Sequence, residues 1–156
     1  MTSKRPDRGA RDLSRNGLLH GRLTREIIGA FYEVYNVLGY GFLESVYAQA
    51  LFLELTRRGL HVQREVMIDV YYKGDRVGKF RADMLVAYSV VVENKASVAL
   101  AKSDRDQLLN YLRCSCLEVG LLLHFGPRPA FRRVVAENQK SADPFIVRAG
   151  PSLILP

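Results

Sequence analysis

From Leu23 onward the apolar residues fall on one side of a helix. Leu23, Ile27, Ile28, Phe31, Val34, Tyr35 and Leu38 recur three or four apart, with Arg25, Glu33 and Asn36 between them. Thr24 is the expected cap, Glu26 the expected first-turn acid, and Gly39-Tyr40-Gly41 the stop. A second helix is predicted over Leu43–Arg58, with Val46, Tyr47, Ala50, Leu51 and Leu55 facing inward and Gly59 ending it. The pattern then changes to strands. Val62–Tyr72 and Arg76–Val86 flank the turn Lys73-Gly74-Asp75. Met84-Leu85-Val86 and Val90-Val91-Val92 flank a second turn, Ala87-Tyr88-Ser89. Ser103, followed by Asp106, has the spacing of a capped helix start, and Leu108, Leu109, Tyr111, Leu112 and Cys116 give that helix its apolar face. Gly120–Phe125 is almost wholly apolar, as a strand buried on both faces must be, and Phe131–Val135 reads as an edge strand.

Composition changes this picture little, but charge does. The 156 residues are 48% hydrophobic and 25% charged, which is ordinary for one globular domain. Of the net charge of +7, residues 1–25 supply +5. Residues 1–21 show little apolar periodicity and read as a basic, disordered leader suited to nucleic acid phosphate, or simply as a solvated tail. Residues 22–135 form the expected domain, and residues 136–156, with Pro144, Pro151 and Pro156, a tail of unassigned structure. Cys114 and Cys116, two apart on an expected helix, would project in different directions, so neither a disulfide framework nor a zinc site follows, and His20, His61 and His124 are scattered. No apolar signal segment or membrane-length run is evident, so a cytoplasmic protein without membrane partners is expected.

The candidate chemistry lies in Phe80–Lys95. With Tyr88 at the turn centre, residues whose numbers sum to 176 face one another, so Asp83 is set opposite Glu93. Strand alternation puts Lys95 on the face of Glu93 and Asn94 on the other, where it needs a buried hydrogen-bond partner. Paired carboxylates repel each other unless a cation lies between them, and Mg2+ suits carboxylate and water ligands. The same three residues also fit a charged, half-exposed hairpin face. Glu44 stands in the first turn of the second helix, where an acid satisfies the helix dipole. Gln107 and Tyr111, four apart, share a helix face.

Together these features resemble a known family. GFLESVY (41–47) is similar to the G-x-x-E-x-x-Y signature of small bacterial proteins named for it. FRADMLV, VVENKA, QLLNYL and LLLHFG follow in the same order, so the resemblance runs from about Leu23 to Val135. That family is placed in the PD-(D/E)XK nuclease superfamily. The resemblance implies an α/β fold with an αβββαβ core, a preceding N-terminal helix, and a mixed central sheet flanked by helices. It implies a metal-dependent nuclease acting on DNA, or RNA, with Mg2+ or Mn2+ held by Glu44, Asp83 and Glu93. Lys95 would be the catalytic lysine beside Asp83 and Glu93, with Gln107 and Tyr111 as the supporting, nucleic-acid-contacting Q-x-x-x-Y element. Ala82 replaces the proline of the PD element, and Asn94 replaces the usual apolar residue between Glu and Lys. A silent binding or interaction module on the same fold is the alternative. The sequence leaves the oligomeric state open.

Overall fold

The computed structural model describes residues 19–113, 115 and 117–137. Most of the basic leader, most of the C-terminal tail and both cysteines therefore lie outside the described residues. The elements are α1 (Gly21–Leu38), α2 (Glu44–Arg57), β1 (Val62–Tyr72), β2 (Asp75–Val86), β3 (Val90–Lys95), α3 (Lys102–Arg113), β4 (Val119–His124) and β5 (Ala130–Val135). From α2 to β4 this is the expected αβββαβ order. The strands form one sheet, β1-β2-β3-β4-β5, antiparallel except for the parallel pair β3 and β4. The α3 crossover between β3 and β4 supplies the length that a parallel connection needs. No described helix is long and apolar enough to cross a membrane.

Each face of the sheet buries a separate core. Met84, Val86, Val90, Val92, Val119, Leu121 and Leu123 pack with Ile27, Phe31, Tyr47 and Leu51 of α1 and α2. Phe80, Ala82, Leu85, Val91 and Leu122 pack with Leu108 and Leu112 of α3. β4 is buried along its whole length, which explains its apolar sequence. Lys73 and Gly74 both take positive φ (47° and 88°), the backbone of a tight two-residue hairpin turn.

The helix starts differ from expectation. α1 begins at Gly21, three residues before Thr24, whose hydroxyl donates to the Gly21 carbonyl at 3.1 Å. That back-bond to a preceding turn removes Thr24 from the capping role and leaves Glu26 beyond the first turn. Ser103 likewise lies inside α3. Asp104 takes the cap instead, accepting the Ala101 N–H at 3.0 Å. Val46, expected inside, is 38% exposed, because α2 buries only Tyr47, Leu51 and Leu55 fully.

Tyr47 holds the entry to α2. Its ring stacks on Phe125 at 4.5 Å, and its hydroxyl donates to the Gly39 carbonyl at 2.6 Å while accepting the Phe42 N–H at 3.3 Å. Gly41, at φ 114°, occupies backbone space that side chains avoid, so the G-x-x-E-x-x-Y spacing describes a loop tied to the first turn of its own helix. Tyr47→Phe keeps the packing and removes both bonds. It should cost about 1 kcal/mol in chemical denaturation and speed hydrogen exchange at the Phe42 amide, with the sheet amides unchanged.

Candidate active site

The β2–β3 ladder follows the expected register, Met84↔Val92, Leu85↔Val91 and Val86↔Val90, and stops one step short of Asp83 and Glu93. Beyond it, side chains replace the backbone partners. Asp83 Oδ2 accepts the Asn94 N–H at 2.7 Å, and Glu93 Oε1 accepts the Asp83 N–H at 3.3 Å. The strands part here because β2 changes face. Phe80 and Ala82 pack toward α3, whereas Met84 and Val86 pack toward α1 and α2, a break in simple alternation centred on Asp83. β1 makes the same change around Glu65, which adopts φ 51° and interrupts the β1–β2 pairing opposite Asp83.

Glu93 and Lys95 lie on the α3 side, lining a narrow cleft with Phe80, Asp104, Gln107, Leu108, Tyr111 and Leu122. Lys95 Nζ stands 3.8 Å from Asp104 Oδ1, whose other oxygen caps α3. Gln107 Nε2 donates to the Tyr111 hydroxyl at 3.0 Å, and the Tyr111 ring stacks on Phe80 at 3.6 Å. Glu44 arrives from the opposite helix layer: its carboxylate accepts the N–H of Ala96 at 3.3 Å, just past Lys95. The structure thus brings Asp83, Glu93 and Lys95 to one strand end, with Gln107 and Tyr111 across the cleft and Glu44 at its margin. Asp104 is the site residue that the sequence concealed. Its signal was the Ala101-to-Asp104 spacing, overshadowed by the better-known Ser103-to-Asp106 pattern.

Asn94 departs from expectation. It is fully buried, yet neither Nδ2 nor Oδ1 has a hydrogen-bond partner among the described residues. By alternation its side chain shares the face of Val90 and Val92 in the apolar α1/α2 core, while its backbone N–H is committed to Asp83. The required partner is missing because that layer is built from hydrocarbon. His124, paired in register with Lys95, is structural: Nε2–H donates to the Ser97 carbonyl at 2.6 Å, and a side chain at Gly126 would run into its ring.

The charges converge on Glu93. Burial, reinforced by the neighbouring Asp83 carboxylate and, more weakly, Glu44, pushes its pKa up to about 8; the Asp83 N–H and Lys95 offset only part of this. A proton therefore occupies the carboxyl where a cation would be welcome. Two oxygen-rich carboxyl groups fit Mg2+ or Mn2+, which commonly take one or two carboxylates and complete their shell with water. Among the described residues no three His, Cys, Asp or Glu side chains are gathered closely enough to hold an ion as they stand. Glu44 is directed at the Ala96 N–H rather than at the pair.

The raised pKa has a definite sign. The unfolded chain gives up the Glu93 proton near 4.5 and the folded chain near 8, so between these values the folded state holds more protons and raising the pH favours unfolding. In chelator, the thermal midpoint should fall across that window, and Glu93→Gln should flatten the dependence. A divalent ion held by this pair would have to displace the proton, so binding of Mg2+ would strengthen over the same window.

A family model for the PD-(D/E)XK nuclease superfamily matches residues 21–134. No curated protein matches the chain. Among solved structures, the crystal structure of SSO0001 is similar at 22% identity and a TM-score of 0.48, covering 75% of this chain and 59% of that one. This chain therefore spans less than two thirds of that protein's length. Matched from the start of α1 into β5, the chain belongs to the PD-(D/E)XK nuclease superfamily.

Proposed function

We propose that this protein is a Mg2+- or Mn2+-dependent nuclease of the G-x-x-E-x-x-Y group, hydrolysing phosphodiester bonds of DNA, with RNA as the second candidate substrate. The observation that carries this reading is the meeting of Asp83, Glu93 and Lys95 where β2 and β3 separate. Asp83 and Glu93 would hold the metal, with Glu44 as the third ligand on leaving Ala96. A bound divalent ion supplies charge neutralisation at the scissile phosphate and a more acidic water. Lys95 would orient the attacking water and offset the negative charge that grows on the phosphate. Asp104 would steady the lysine, and Gln107 with Tyr111 would line the substrate side of the cleft.

One feature favours a second reading, a silent nucleic-acid-binding or protein-interaction module. Lys95 is turned to Asp104 and Glu44 to the Ala96 N–H, so the residues are not gathered around one point. Incubation with labelled single- and double-stranded DNA and RNA, in Mg2+, Mn2+ or chelator, decides between them. Under the nuclease reading, Lys95→Ala loses at least about a hundred-fold in cleavage, the scale of a general acid–base contribution, while retaining fold and metal affinity. Asp83→Asn and Glu93→Gln lose metal binding, and Gln107→Ala has a milder effect on cleavage. Undiminished metal-dependent cleavage by Lys95→Ala would refute its role.

We further propose that residues 1–21 act as a basic arm outside a catalytic domain over 22–135. Deleting the arm should weaken binding at low salt and flatten the dependence of log affinity on log salt, because fewer counterions are released. Metal dependence should stay as it was. An unchanged slope would remove the arm from the binding surface.

A further inference from the structure

The loop joining α1 to α2 turns its apolar side chains outward. Tyr40 is 52% exposed, Phe42 47% and Leu43 76%, in a stretch that leads directly into Glu44, and Val37 in the last turn of α1 is 73% exposed beside them in sequence. Four large apolar side chains exposed within seven residues make this segment a candidate contact surface. The loop is held at its base. The Tyr47 hydroxyl ties the Gly39 carbonyl to the Phe42 N–H, and the Phe42 ring rests edge-on against Tyr47 at 6.0 Å. The chain is bare on both sides of Tyr40: a Cβ placed on Gly39 or on Gly41, which separates the two rings, would meet nothing within 4 Å.

What surrounds the loop narrows the occupant. Glu44 reaches Ala96, so the loop enters α2 at the end of β3 that carries Lys95. The Tyr35 hydroxyl donates to the carbonyls of Gly126 and Pro127, tying the last turns of α1 to the segment before the exposed Arg128. β3 and β4 are parallel, so that segment leaves the sheet at the Lys95 end. Flat apolar rings, a cation and the candidate phosphodiester site thus lie at one end of the molecule. A continuous duplex offers such a surface only phosphates, since its bases are stacked inward. Unpaired bases offer both phosphate and π-face.

We propose that Tyr40 and Phe42 form a stacking platform for unpaired nucleobases, with Arg128 on the adjoining phosphates, so that the protein engages single strands or frayed ends in preference to continuous duplex. This rests on the nuclease-site reading for its placement, but its test does not require cleavage. In chelator, the full-length chain is titrated into a fluorescent single-stranded DNA, the matching RNA and the corresponding duplex. A 2-aminopurine base in each single strand reports stacking.

Single strands should bind more tightly than duplex, with 2-aminopurine fluorescence quenched. Tyr40→Ala and Phe42→Ala should each lower the single-strand-to-duplex affinity ratio about ten-fold and relieve the quenching, the effect of losing one base–aromatic stack. Tyr40→Phe and Phe42→Tyr should restore both. The DNA and RNA arms show which strand supplies the bases. No binding to any nucleic acid, or equal losses for single strand and duplex, would overturn the proposal. So would unchanged binding accompanied by dissociation of a dimer in sedimentation, or by a lowered melting temperature. Either result would assign the surface to a second copy or to another part of the chain. If the stacking signature appears but no metal-dependent cleavage does, only the nuclease reading falls. Cleavage without the signature removes only the platform.

Discussion

Two side-chain hydrogen bonds at the point where β2 and β3 part organise the site. An antiparallel ladder ordinarily continues until the chain turns away, and each backbone N–H left behind must find another acceptor. Here Asp83 accepts the Asn94 N–H and Glu93 accepts the Asp83 N–H, so the acids of the candidate site also close the ladder they interrupt. This arrangement holds both carboxyl groups together against their repulsion. Their orientation is set by backbone, which moves less readily than a side-chain partner would.

The separation of the strands follows from the change of face in the β1–β2 hairpin. Glu65 in the left-handed region and the break at Asp83 let one long hairpin serve two cores, the α1/α2 layer near Val86 and the α3 layer near Phe80. Phe80 then supports the Tyr111 ring, and Tyr111 receives Gln107, so the far wall of the cleft is fixed by the same distortion that positions its acids. On the other side of the sheet, Tyr47 anchors the loop whose next element begins with Glu44. Both helix layers therefore deliver polar groups to the end of one strand, β3. Lys95 and Asp104 bridge the strand and α3 across this opening.

Most of the fold was legible because its elements are locally consistent. Apolar spacing placed α1 and α2 to within a few residues, and Gly74 placed the first hairpin. The register of the second hairpin followed from its turn centre. The errors share a cause. Thr24 and Ser103 are good capping residues; nothing near Thr24 shows that the chain enters α1 earlier, and the Ser103-to-Asp106 pattern outweighs the Ala101-to-Asp104 spacing that starts α3. Val46 has a suitable position on the helical wheel, but the adjoining layer buries Tyr47, Leu51 and Leu55 in preference to it. Asn94 was placed on the correct face, but what that face contains depends on α1 and α2, distant in sequence.

The sequence by itself determined the element order, the pairing that sets Asp83 toward Glu93, and the sharing of one strand face by Glu93 and Lys95. These follow from periodicity and turn chemistry, which act over a few residues. The tertiary structure alone decided that Asp104 meets Lys95, that Glu44 reaches Ala96, and that Glu93 retains its proton to about pH 8. It also decided that Tyr40 and Phe42 remain about half exposed. Each of these depends on burial and on charges brought together from separate elements. Desolvation and Coulomb interaction depend on distance in space, and separation along the chain does not encode that distance.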